Sequence, residues 1–191
     1  MRKAALLLML SFGHAAFATV TLESLTAPVR GSSSQFHNNV LTLINLTGLR
    51  EELLSNQHTM AEQGKREILR RFPKYNPAFA EEWARRMEDR ISVDEYVNVV
   101  VAVYERNYTN EDILEMIRIQ RDLRAAKTPV PSPRLQAKLS KLAVTVQSEI
   151  VGGFTELGAK RGGEIGQEVA KEHPEWLTRS DGPDFDVTPA N

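Results

Sequence analysis

Tyr96-Val97-Asn98-Val99-Val100-Val101-Ala102-Val103-Tyr104 decides the fold class of this chain. So many β-branched and aromatic residues carry strand propensity. A lone strand, however, leaves its backbone N–H and C=O groups unpaired. No second convincing strand occurs elsewhere in the 191 residues. A helix satisfies those groups within itself, and a helix that is apolar on all sides belongs in a core. Immediately ahead stands Ser92-Val93-Asp94-Glu95, a capping box in which serine and glutamate exchange hydrogen bonds with each other's amides. The run is therefore read as a buried helix and the chain as all-α.

Downstream, Thr109 caps the next helix, with Asp112 at its third position. Ile113, Met116, Ile117 and the span from Ile119 to Leu123 are expected to form its buried side. Pro129, Pro131 and Pro133 break the helix, and Ser132 caps a last helix that has Pro133 in its first turn. Leu135, Leu139, Leu142, Val146, Ile150, Gly153 and Leu157 then recur at steps of three and four. This arm is long and rich in glycine.

Upstream, Phe36, Val40, Leu41, Leu43, Ile44 and Leu46 form a helical stripe, which Gly48 ends by taking the left-handed C-cap conformation. A second helix starts at Leu49 and closes at Pro73. Asn76-Pro77 is an N-cap followed by a first-turn proline, and Phe79, Trp83, Met87 and Ile91 fall on one face behind it. The expected architecture is a single bundle of about six helices within residues 35–172, with a long C-terminal glycine-rich helix.

The flanks differ in character. Met1-Arg2-Lys3, the apolar run Ala4 to Phe17 and the small-x-small site Ala16-Phe17-Ala18 have the three parts of a secretory signal peptide spanning 1–18. Cleavage is expected near Ala18, with a periplasmic or secreted mature chain that has no transmembrane segment. Residues 19–34 read as a flexible leader, and residues 173–191 as a disordered acidic tail around Asp181, Asp184 and Asp186. Cysteine is absent, which excludes disulfides, thiolate metal sites and a cysteine nucleophile. Without residues 1–18, 22 Lys and Arg face 25 acids, a balance of −3. Nucleic-acid binding needs a concentrated cationic excess, so it is not expected.

Leu43-Ile44-Asn45-Leu46-Thr47-Gly48 followed by Leu53 and Met60-Ala61-Glu62 is one distinctive segment. Tyr108-Thr109-Asn110-Glu111-Asp112-Ile113-Leu114, with the Ser132-Pro133 restart before Leu139, is another. Together, over roughly Val40 to Gly166, they resemble the bacterial family called domain of unknown function 2059. The resemblance implies an exported, helical protein and brings no catalytic residue. The chain departs from that family's Ser-Pro-x-Gly-x-Lys turn, with Leu135 at the glycine position and Lys138 one place late.

Two constellations are candidates for function. Gly152, Gly158, Ala159, Gly162, Gly163 and Gly166 set small residues at helical spacing, which would let another helix approach closely. That face is a possible dock for a protein partner or a second copy, or else it packs internally. Lys65, Arg66, Arg70 and Arg71 could meet an anionic surface such as lipid headgroups or cell-wall polymer, or simply be a solvated face. Gly162-Gly163-Glu164-Ile165-Gly166 is not a phosphate loop, since it follows a helix and lacks the Lys-Ser/Thr that completes one. His58 and Glu62 lie four apart, yet two ligands are too few for a metal site. Adjacent acids such as Glu81-Glu82 point about 100° apart on a helix and do not form facing acid–base pairs. No cofactor, metal or catalytic set is expected. The favoured expectation is a non-enzymatic interaction module; the alternatives are an envelope-surface binder and an enzyme whose site is assembled from distant residues.

Overall fold

The computed structural model describes residues 34–178. The expected signal peptide, most of the leader, and the tail beyond Thr178 lie outside these residues. Among the described residues there are six α-helices and no strand, so the chain is all-α. They are α1 (Ser34–Thr47), α2 (Leu49–Arg71), α3 (Pro77–Arg90), α4 (Val93–Asn107), α5 (Asn110–Arg124) and α6 (Pro133–Glu172). A 3-10 turn, Pro174–Leu177, comes after α6.

These helices fall into two compact units. The first contains residues 34–50 and 94–157, the second residues 51–93 and 158–178, so α2 and α6 contribute to both.

In the first unit, the valine-rich run is the buried helix α4. Val99, Val100, Val101 and Val103 are all at most 2% exposed, which is why strand propensity does not decide their state. Phe154 of α6 meets Tyr96 edge to face, with ring centroids 5.1 Å apart. Val40, Leu43 and Ile44 are the buried face of α1, which packs on α5. Gly48 has φ 77°, the left-handed cap expected of it. Arg124 of α5 donates to the Leu46 carbonyl at 2.7 Å, satisfying one of the free acceptors at the end of α1.

Helix α5 starts at the expected capping box, in which Thr109 and Asp112 exchange hydrogen bonds with each other's amides. Its buried side is narrower than expected: Ile113 and Ile117 are buried, but Leu123 is 43% exposed. The helix ends one residue beyond Leu123, at Arg124. The chain then turns through Ala126, at φ 57°, with the Lys127 amide donating to Asp122 O at 3.0 Å.

In the second unit, Asn76 caps α3 by accepting from the Ala78 amide at 3.0 Å, with Pro77 in the first turn. Phe79, Trp83 and Met87 are buried, as their spacing predicts. The 3-10 turn falls at the start of the expected tail and is tied by backbone bonds: Asn76 N donates to Trp176 O at 2.8 Å and Trp176 N to His173 O at 3.0 Å. Trp176 also stacks on His173 at 3.7 Å. Pro174 ends α6 but suits the first position of a new turn, so the chain changes helix type there.

Candidate functional site: an aromatic groove

The second unit is built around Trp83. Its indole Nε1 donates to the Gly162 carbonyl at 2.8 Å, so the one polar atom of the ring is satisfied. A Cβ on Gly64 would lie 2.5 Å from two of the indole ring carbons, and one on Gly162 would lie 2.9 Å from a third. Only residues without side chains let α2 and α6 come this close to the ring.

Beside the indole lies an open groove of about 320 Å³. Its walls are Ile68, Phe72, Tyr75, Phe79 and Trp83 on one side, with Gly163, Gly166, Gln167, Ala170 and Leu177 on the other. The aromatic wall is continuous: Phe72 stacks on Tyr75 at 4.9 Å, and Tyr75 meets Phe79 edge to face at 5.2 Å. Pro73 and Asn76-Pro77 force the α2–α3 turn that gathers these rings. No acid, lysine, arginine or histidine is among the lining residues. The groove can hold apolar matter, with the Gln167 amide and Tyr75 phenol as its polar groups.

Arg86, 8% exposed, fastens the end of α6 to α3. It donates to Glu82 at 2.6 Å and to both carboxylate oxygens of Glu172, at 3.1 and 2.5 Å. Arg90 pairs with Glu168 alongside. The bonds from Arg85 and Arg86 hold the Glu82 carboxyl down at about 2. Those charges are occupied in fastening helices.

The buried charge of the first unit is Asp112, fully buried. It accepts from Arg134 at 2.5 Å, from Lys138 at 2.6 Å and from the Thr109 amide at 2.9 Å. Burial pushes its carboxyl up, but the bonds from Lys138 and Thr109 outweigh that and leave it at about 2. One helical turn further on, Glu115 accepts from the Ser132 amide at 2.6 Å and its hydroxyl at 2.9 Å, while Ser132 Oγ caps Leu135 N at 3.2 Å. Tyr104 and Tyr108 meet edge to face nearby, and burial pushes the Tyr104 phenol up to about 12. The two carboxylates tie the α5–α6 hairpin together.

The residues singled out in the sequence divide. Gly162 and Gly166 face Trp83, whereas a Cβ on Gly152, Gly158 or Gly163 would meet nothing within 4 Å. Ala159 is exposed. The small-residue series is thus two features: a seat for an internal tryptophan and a set of open positions. Among the basic residues, Lys65 pairs with Glu62 at 2.9 Å, and Arg70 and Arg71 share Glu67 at 2.7 and 2.5 Å. Arg66 is exposed beside them. His58 pairs with Glu88 at 2.7 Å, not with Glu62. Among the described residues no group of three or more metal-ligating side chains comes together, and no helix is long and apolar enough to cross a membrane.

Sequence reasoning missed Gly64, Tyr75 and Gln167. An isolated glycine in the middle of α2 was the available signal, since it costs about 1 kcal/mol relative to alanine unless close packing uses it.

Compared with protein-family models, with curated proteins and with solved structures, the chain matches none of them.

Proposed function

We propose that this protein is a non-enzymatic interaction module of the bacterial periplasm or cell exterior, the export being what the domain of unknown function 2059 resemblance implies. Its groove beside Trp83 receives an apolar side chain of a polypeptide partner. The observation that carries the reading is the groove's lining: three phenyl or phenol rings and an indole facing Gly163, Gly166, Gln167, Ala170 and Leu177, with no acid–base pair. Aromatic surface of this kind supplies contact area at little cost in side-chain freedom, which suits recognition. The buried charges Asp112 and Arg86 support it, since each is already engaged in fastening helices.

Gly163 provides the test. Gly163 lines the groove and a Cβ there meets nothing within 4 Å, so a leucine at this position should occupy part of the groove. The neutral fluorophore N-phenylnaphthylamine should bind the protein saturably and lose that binding in Gly163→Leu. Binding unaffected by Gly163→Leu would place it elsewhere and sink the reading. Export is checked by cell fractionation and N-terminal sequencing, with a mature start at Thr19 expected.

A further inference from the structure

We infer that the groove beside Trp83 is the docking site of this chain's own C-terminal segment, residues 179–191, with Phe185 as the anchoring side chain. This rests on the groove being a recognition surface and adds its regulation: the segment competes with an outside partner.

Three observations point to this occupant. First, the segment leaves the described structure at the groove itself. Leu177 is part of its wall, and Thr178 is the last residue described. Phe185 is eight residues beyond Leu177, a reach of up to about 26 Å. Asp181-Gly182-Pro183 between them is a turn signal that lets the chain reverse.

Second, the segment's apolar content suits the lining. Phe185 and Val187 are two apart, the spacing that puts both side chains on one face of an extended chain. An aromatic ring against Phe72, Tyr75 and Phe79 adds edge or stacking contacts to buried area.

Third, the charges on the α2 side of the groove are complementary to those of the segment. Phe72, on the groove wall, sits in a span from Arg66 to Lys74 that holds four cations and one acid, Glu67. Glu67 serves both Arg70 and Arg71, so the span keeps a net positive charge. Asp181, Asp184 and Asp186 bracket Phe185. Opposite charges around an apolar anchor fix register and steer the approach.

The experiment uses the full chain with two substitutions at one position. N-phenylnaphthylamine affinity is measured for the wild type and for Phe185→Ala, and p-benzoylphenylalanine at position 185 is photo-cross-linked and mapped by mass spectrometry. About tenfold tighter probe binding in Phe185→Ala is expected, with cross-links to the stretch from Ile68 to Phe79 formed within one chain. Equal affinity in the two proteins overturns the inference and leaves the groove free for outside partners. Cross-links between chains that vanish on dilution overturn it in favour of a second copy. Failure of both proteins to bind the probe counts against the groove itself, and so against the proposed function.

Discussion

The indole nitrogen of Trp83 lies 2.8 Å from the carbonyl oxygen of Gly162, 79 residues away in sequence. That bond and the ring's contact with Gly64 explain why glycine is tolerated in the middle of two helices. Each such glycine costs about 0.5–1 kcal/mol relative to alanine. Burying the indole against bare backbone offsets that cost at Gly64 and Gly162, and nothing in contact offsets it at Gly158 or Gly163.

Alanine substitutions should therefore divide in sign. Gly64→Ala forces a Cβ to within 2.5 Å of the Trp83 ring and should destabilise by about 1–3 kcal/mol. Gly162→Ala should destabilise less, since its nearest contact is 2.9 Å. Gly158→Ala and Gly163→Ala should each stabilise by about 0.5–1 kcal/mol. Urea denaturation of the four variants measures this, and a loss of stability in all four would contradict it.

Ala126 occupies the left-handed position after α5, with φ 57°. Glycine takes this conformation without the Cβ penalty. Ala126→Gly should raise stability by about 0.5–1 kcal/mol, even though glycine is usually the more costly residue to order. A lowered midpoint in thermal or urea melts would show that the turn does not constrain this residue.

Asp112 makes the α5–α6 hairpin acid-sensitive. Its folded pKa, about 2, lies below the ordinary aspartate value of 3.8, so its stabilisation is complete above the unfolded value. It is lost as pH falls through the folded value. Asp112→Asn should cost about 1.5–3 kcal/mol near neutral pH, the range for hydrogen bonds to a charged group. The gap between variant and wild type should narrow below pH ~4 and nearly close by pH ~2. A pH-independent gap in denaturant titrations would assign the loss to packing instead.

The 3-10 turn should contribute to the stability of the second unit. A chain ending at His173 loses the Asn76 N–Trp176 O bond, the Trp176–His173 stack and the Leu177 wall of the groove. It should melt about 3–6 °C below a chain ending at Thr178. Equal melting temperatures would mean that the turn rests on the unit without supporting it.

Much of the secondary structure was legible because its causes are local. Asn76, Thr109 and Ser132 cap helices through side-chain oxygens within three residues, and Gly48 ends one by its own backbone freedom. The strand-like run from Tyr96 to Tyr104 was assigned to helix by the absence of any strand to pair with it, an argument that needs only the chain. The 3-10 turn was missed because Pro174 reads as a stop. Its long-range tie is to Asn76, a hundred residues before Trp176, which no local pattern announces.

The sequence by itself determined the all-α class, the start and end of most helices, and the lack of thiol chemistry, because capping, periodicity and composition act within a few residues of chain. The tertiary structure decided which glycines are seats and which are open, which cations are already paired, and that four aromatic residues share one groove. Those facts depend on side chains brought together from α2, α3 and α6. Helical spacing states which residues share a face, but what covers that face is set by packing between distant segments.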